Sequence, residues 1–581
     1  MKFILRFLKP YWKLCVFTIF LLTLDVAGAL FIPTLAAKML NAGTMGSTPN
    51  VLLNTGIKMA IASIISAFGA LLSGYVCSIL SAKVGKDIRD SIYKKSLKLS
   101  IYDFRQFGTA SITTRTISDV TNIQLAIVSF IQMVLPVPII FVIALTLSFR
   151  LDIQLGLLLL IVVLIVIILA GLIMKKASPL SRLLQKKLDR MSSILLENIT
   201  GVRVIRAFNK EFSEQNRLDK SFSDYANTAI KTNKLFASLD GLSFLSINIF
   251  MVMVYWISGG SISAGRYQIG DITAITEYAL LILYFLMMAQ MIIMTMPRAL
   301  ECSRRVQAVL EHTPEIRDYV SKDTNAVIEK NKDVLSFKDV SFRFSDAEED
   351  TLSDLNFTCR RGETTAIIGG TGSGKSTIAS LILRFHDVTK GEISLNGQDI
   401  KGMTQHNLRK HLAYVQQKAW LFSGTIANNL RYGNQKATDS ELEHALKVAQ
   451  AYDFVNSLPL KLDSFVAQGG MNFSGGQKQR LSIARALVKK PELYIFDDSF
   501  SALDFKTDAA LRKALSQETQ DAAVLIIAQR ISSIQHANQI IVLDEGKVAG
   551  IGNHDELMKH CLVYQEIYKS QTKEDSNNET K

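Results

Sequence analysis

The run Gly369-Gly370-Thr371-Gly372-Ser373-Gly374-Lys375-Ser376 satisfies the pattern G-x-x-x-x-G-K-[ST] in full. Glycines at these offsets let backbone N–H groups close around phosphate oxygens at a helix N-terminus. The lysine adds positive charge against the β- and γ-phosphates, and the hydroxyl after it ligates Mg²⁺. The setting agrees with the motif, because the apolar strand Thr365–Ile368 comes before it and the helical run from Thr377 to Arg384 follows. Gly369, Thr371, Gly372, Ser373, Gly374, Lys375, Ser376 and Thr377 are therefore candidate nucleotide contacts. Downstream, Leu493-Tyr494-Ile495-Phe496-Asp497 is an apolar strand that ends in an acid. Such an acid holds Mg²⁺ together with the loop hydroxyl, here Ser376. Phosphate, Mg²⁺ and a carboxylate together imply chemistry on ATP.

These residues need a rigid element behind them. From Val334 the chain runs in short β-branched and aromatic segments broken by Gly and Asp. That pattern predicts strands alternating with helices around a mainly parallel sheet. The first half reads differently. Six apolar runs, at about 14–39, 55–80, 127–149, 153–174, 235–262 and 272–297, are each long enough as helices to cross about 30 Å of hydrocarbon. Backbone amides in lipid must bond within their own segment, so the runs should be helical. The expected fold is thus a membrane all-α six-helix domain at 1–312, a linker at 313–332, an α/β nucleotide-binding domain at 333–570 and a disordered tail at 571–581.

The chain has 581 residues, with 65 Lys and Arg against 52 Asp and Glu. Its mean hydropathy is +0.21 despite a net charge of +13. Positive hydropathy beside positive charge suits a membrane protein whose basic residues gather on one side. Residues 39–57 carry no Lys or Arg, whereas 81–126 carry eight and 175–234 carry thirteen. This alternation places both termini and both long basic loops in the cytoplasm of a multi-pass protein of the cytoplasmic membrane. Because the charge follows the membrane period, it argues against a nucleic-acid-binding face. Cys15, Cys77, Cys302, Cys359 and Cys561 are scattered, which excludes a disulfide scaffold or zinc ribbon. The first apolar run is too long for a cleaved signal. Lys2 to Tyr11 mixes basic and aromatic residues, as an interfacial helix does. Asp25 and Glu277 lie within apolar runs, and an intramembrane carboxylate is a functional candidate by default. The sixth run carries Met287, Met288, Met291, Met294 and Met296, soft side chains that suit either a varied ligand wall or ordinary helix packing.

Further motifs resemble those of the ABC exporters. Asn472-Phe473-Ser474-Gly475-Gly476-Gln477 is similar to the ABC signature, with Ser474, Gly475, Gly476 and Gln477 as its nucleotide contacts. Gln417, within Tyr414-Val415-Gln416-Gln417, resembles the Q-loop glutamine, a further Mg²⁺ ligand. Ser501-Ala502-Leu503-Asp504 resembles the D-loop, and Phe344 stands where the family usually has an adenine-stacking Tyr, whose stacking an aromatic face can still supply. The segment Glu197 to Phe208 resembles the second cytoplasmic loop of the exporters. The resemblance covers nearly the whole chain and implies a half-transporter. Two such chains pair, with ATP held between the P-loop of one and the signature of the other. The second long loop would then reach the partner's ATPase domain, and ATP binding would drive alternating access.

Three positions depart from the family pattern. Asp498 stands where the family has a glutamate general base, and its carboxylate is one methylene shorter. Gln529 replaces the switch histidine that meets the γ-phosphate; an amide can hydrogen-bond but does not titrate. Gln468 replaces a glutamate common before Gly469-Gly470. An intact P-loop and signature beside two altered catalytic groups resemble one subunit of a heterodimeric bacterial multidrug exporter. In those, one of the two ATP sites is degenerate. The expected cargo is hydrophobic or amphipathic, drugs or lipids. The alternatives are a slow homodimer in which Asp498 still acts as base, and a nucleotide-binding regulatory subunit without transport of its own.

Overall fold

A computed structural model describes residues 2–46, 48–263, 268–318 and 331–578. The chain divides into two units, residues 1–98 with 107–313 and residues 99–106 with 314–581.

The first unit is built from six long apolar helices. Four are unbroken: Trp12–Thr44, Pro49–Ser96, Ile153–Thr200 and Glu211–Ser263. The last is Ile269–Glu311. The third, Thr109–Leu151, is interrupted by π-helical turns at Arg115–Asp119 and Phe130–Val134. All six exceed the apolar runs that predict them, because the polar stretches of the long loops continue the same helices. Asp152 separates the third and fourth: its Oδ1 accepts the N–H groups of Gln154 at 2.7 Å and Leu155 at 3.0 Å, capping the new helix. The first two helices pack closely, since a Cβ on Gly69 would lie 2.9 Å from the backbone N of Asp25. Small residues at such crossings let apolar helices gain dispersion contacts in lipid. Val26, Leu30, Ile140, Leu159, Phe250, Ile275 and Tyr278 form one buried core among them.

The expected N-terminal helix is present as Lys2–Leu8, followed by a 3₁₀ turn at Lys9–Tyr11. Phe3 and Ile4 are buried against Cys77, Leu80 and Val84, so part of its apolar face is used within the protein.

Among the described residues the second unit contains two main sheets and a two-stranded one, Gly424–Thr425 with Phe465–Val466. The larger has the order Lys547–Gly552, Gln539–Asp544, Thr364–Gly369, Ala523–Ile527, Leu493–Asp497, Leu412–Val415. All its pairs are parallel except the one with Lys547–Gly552. The inner strands are buried on both faces, which explains their continuous apolar sequence. The smaller sheet is antiparallel and runs Leu352–Arg360, Asp333–Phe342, Lys390–Leu395, Gln398–Asp399. Helix Ile101–Phe107, in the first long loop, falls largely within this second unit, with Asp103 buried.

Of the linker, residues 319–330 lie outside the described residues. The segment expected as a disordered tail is instead helical to Asn578, as the end of helix Leu562–Asn578; residues 579–581 lie outside the described residues. Just upstream in this helix Tyr564 is buried, with Val563, Ile567 and Tyr568 partly buried against the same core.

Candidate functional site

The site forms along the carboxyl ends of the parallel strands, where open α/β sheets place ligands. The loop after Thr364–Gly369 enters helix Lys375–Ile382 through Gly374, whose φ is 90°. A Cβ there would also come within 3.2 Å of the carbonyl O of Thr351. Gly372 has φ 87°. Both lie in the left-handed region, where glycine alone is at ease. Such turns aim successive N–H groups into one concavity. Lys375 Nζ donates to the carbonyl oxygens of Gly369 at 2.8 Å and Gly370 at 2.6 Å, and Ser373 Oγ donates to Gly370 O at 2.9 Å. Thr371, Gly372 and Ser376 are exposed, with Thr377 half-buried one position on. Burial lowers the Lys375 ammonium from its ordinary pKa, while Asp498 and Asp497 pull it back up.

Asp497 ends its strand 5% exposed. Its Oδ1 accepts from Ser376 Oγ at 3.2 Å, so the two expected Mg²⁺ ligands meet across 121 residues of sequence. Its Oδ2 accepts from Tyr414 Oη at 3.1 Å. Burial pushes the carboxyl above its ordinary pKa, opposed by the Tyr414 and Ser376 hydrogen bonds. A divalent cation reverses that effect, because its charge favours the carboxylate. The donor set, a hydroxyl and a carboxylate beside a lysine and an amide-lined loop, therefore fits Mg²⁺ with a nucleoside triphosphate.

Asp498 and Gln417 also meet here, with Gln417 Nε2 donating to Asp498 Oδ2 at 3.0 Å. Asp498 has φ 46°, and its N–H donates to Ile527 O at 2.8 Å. Burial raises the Asp498 pKa, while the Gln417 hydrogen bond, Arg530 and Lys375 draw it back. Gln529 is exposed just beyond strand Ala523–Ile527. Phe344 packs edge-on against Phe342 at 4.8 Å and His386 at 5.3 Å between ring centroids.

The signature residues form a second group. Ser474 caps helix Gly475–Val488: its Oγ accepts from Gln477 N, and Gln477 Oε1 accepts from Ser474 N at 2.9 Å. This reciprocal capping box orients a helix N-terminus, which attracts anions. Gly475 is exposed, and a Cβ on Gly476 would lie 3.2 Å from Ala502 O. Gln468 is exposed.

Residues 15–287 match the family described as ABC transporter transmembrane region, and residues 352–501 match the family described as ABC transporter. An uncharacterized ABC transporter ATP-binding protein of Mycobacterium tuberculosis is 33% identical over 570 residues, which cover 97% of each chain. The chain belongs to the ABC exporters. It is also 30% identical, over 98% of its length and 99% of the relative's, to a Staphylococcus aureus protein provisionally named a multidrug export ATP-binding/permease protein. A solved bacterial Atm1-family ABC exporter with ATP bound superposes with TM-score 0.80 at 27% identity, covering 96% of this chain and 98% of that one. This half-transporter is accordingly a multi-pass membrane protein with an ABC-type ATPase that binds ATP with Mg²⁺.

Tyr414, within Tyr414-Val415-Gln416-Gln417, carries no motif role in the sequence. The available signal was the strand's alternation: Ala413 and Val415 are buried, and Tyr414 is directed toward the site with its hydroxyl on Asp497. Within the exporter's membrane unit, Asp25 is half-buried and its Oδ1 accepts from Ser66 Oγ at 2.8 Å. Glu277 is exposed, whereas its neighbour Tyr278 is buried with its hydroxyl 2.6 Å from Thr34 Oγ1. Met287, Met288 and Met296 are half-buried; the side chains of Met291 and Met294 lie outside the described residues.

Proposed function

We propose that this chain exports hydrophobic or amphipathic compounds, drugs or lipids, as one half of an ABC heterodimer in the cytoplasmic membrane, with both termini cytoplasmic. Its own P-loop builds an ATP site of low turnover, and its signature completes the partner's competent site. Lys375 and the loop amides hold the phosphates, Phe344 stacks the base, and Ser376, Asp497 and Gln417 hold Mg²⁺. Ser474, Gly475, Gly476 and Gln477 close over the partner's nucleotide.

The observation that carries this reading is the Asp498 position. The retained ligands bind phosphate and Mg²⁺, but the carboxylate at the base position is short and is hydrogen-bonded to Gln417 at 3.0 Å. Gln529 adds a second departure just beyond the neighbouring strand. A second chain is favoured by the tip of the second long loop. There Ile199, Val204, Phe208 and Phe212 are 60–76% exposed, an apolar surface that suits burial against another protein.

The slow homodimer keeps one supporting observation, since the Asp498 carboxylate does remain in the site. ATPase turnover of the purified chain in lipid, alone and with the chain that co-purifies from native membranes, separates the readings. The heterodimer predicts negligible turnover alone and robust turnover with a partner that carries the glutamate and the histidine. A partner with Asp and Gln at those positions refutes it.

A further inference from the structure

Helix Leu562–Asn578 returns to the segment that follows strand Ala523–Ile527, and one of its side chains makes both contacts that matter. Gln571 Nε2 donates to the carbonyl O of Gln529 at 2.7 Å. Gln571 Oε1 accepts from the N–H of Ile531 at 2.8 Å. A primary amide carries the same donor and acceptor as a peptide unit. It therefore pairs with the C=O of one residue and the N–H two residues on, as an adjacent strand would. The backbone is fixed on both sides of Arg530.

A neighbouring contact extends the restraint. Arg512 Nη1 donates to Ser532 O at 2.7 Å, and its Nη2 is anchored on Asp508 Oδ2, also at 2.7 Å. Arg512 belongs to helix Phe505–Glu518, which begins at Asp504. On the other side, Ile527 O accepts from the N–H of Asp498 at 2.8 Å. With the Ala528 N–H donating to Ile367 O at 3.0 Å, the segment from Ile527 to Ser532 is thus tethered at five backbone groups. The Gln529 side chain remains exposed just beyond the strand end.

We propose that Gln571 is a positioning residue for Gln529. By fixing the carbonyl of Gln529 and the N–H of Ile531, the C-terminal helix sets the direction in which the Gln529 amide meets the γ-phosphate. It thereby sets how well this site distinguishes ATP from ADP. The proposal rests on reading Gln529 as the switch position. It assigns a role to a segment whose polar composition suggests none.

The test uses the full-length transporter in lipid, photolabelled with 8-azido-ATP and 8-azido-ADP, with labelling read on this chain's band. The variants are Gln571→Ala, Gln571→Glu and Gln529→Ala. Gln571→Glu keeps the acceptor for Ile531 N–H but cannot donate to Gln529 O. A hydrogen bond of this kind is worth several-fold in an equilibrium. Both Gln571 variants should therefore weaken ATP labelling by about threefold or more while ADP labelling stays unchanged, and Gln529→Ala should do the same. Equal weakening for ATP and ADP in the Gln571 variants would mean general destabilisation and overturn the proposal. So would ATP selectivity that falls in Gln529→Ala but holds in both Gln571 variants, and in that case the switch reading survives. Selectivity unchanged in Gln529→Ala removes the switch reading itself, and the role of Gln571 with it.

Discussion

Replacing Asp498 by Glu adds one methylene and advances the carboxylate by about 1.5 Å. A misplacement of about 1 Å can cost about a hundredfold in rate. If the short side chain is what slows this site, Asp498→Glu should raise turnover at this chain's own P-loop about a hundredfold, equal to about 2.7 kcal/mol of barrier. Two structural features bear on the gain. Asp498 sits at φ 46°, a conformation Asp tolerates and Glu favours less, so the variant should lose about 1 kcal/mol of stability. The Gln417 bond of 3.0 Å must also shift, because the longer side chain passes the amide. Both effects act on folding or ATP affinity, and the rise should appear in kcat. The assay is phosphate release in lipid by the complex from native membranes, with the partner's P-loop lysine removed so that only this chain's P-loop turns over. Asp498→Asn is the companion variant and should change little. The reasoning is refuted if Asp498→Asn abolishes turnover while Asp498→Glu leaves it unchanged or lower. That pattern would make Asp498 a working base.

Tyr414→Phe removes the 3.1 Å hydrogen bond to Asp497 and should raise the Mg²⁺ concentration for half-maximal ATPase several-fold, with Mg²⁺-free nucleotide binding unchanged. Gly374→Ala places a Cβ at φ 90° against Leu352 and Thr351. It should abolish measurable ATP binding and lower the melting temperature of the protein, a cost of about 1–3 kcal/mol. Asp25→Asn keeps the 2.8 Å bond with Ser66 but removes the charge. Transport of cationic compounds should then fall relative to neutral ones, and an unchanged profile at normal expression would end the functional reading of this carboxylate.

How much was legible in sequence depended on how local each signal was. The phosphate loop is legible because eight consecutive residues set its geometry, and the left-handed glycines lie within it. The spans are legible because lipid imposes length and apolarity on each helix separately. Their polar extensions are less so, since the charged faces of Lys175 to Lys234 give no apolar run. Contacts between distant segments were not legible. Tyr414 reaches Asp497 across 83 positions, and Gln571 reaches Gln529 across 42. Neither residue type announces its partner, so only the folded sheet edge and the returning terminal helix reveal them. The helical continuation into the tail was illegible for a related reason. Its polarity suits a solvated helix face as well as a disordered chain, and composition alone does not separate the two.

The altered positions also share a physical logic. The P-loop, Ser376 and Asp497 act on ground-state charge: they hold phosphate and Mg²⁺ whether or not a bond is breaking. A base carboxylate acts later, on the attacking water as charge shifts toward the γ-phosphate. Asp498 belongs to this second group and the first group is intact, while Gln529 loses the titratable imidazole but keeps an amide for the bound γ-phosphate. Weakening only interactions made in the transition state lowers kcat and leaves ATP affinity in place. On the proposed reading, this chain's site therefore stays loaded through many partner turnovers and works as a clamp whose closure depends on ATP. The exporter's coupling then rests on how sharply the clamp recognises the γ-phosphate, a property set at Gln529 and, through the terminal helix, at Gln571.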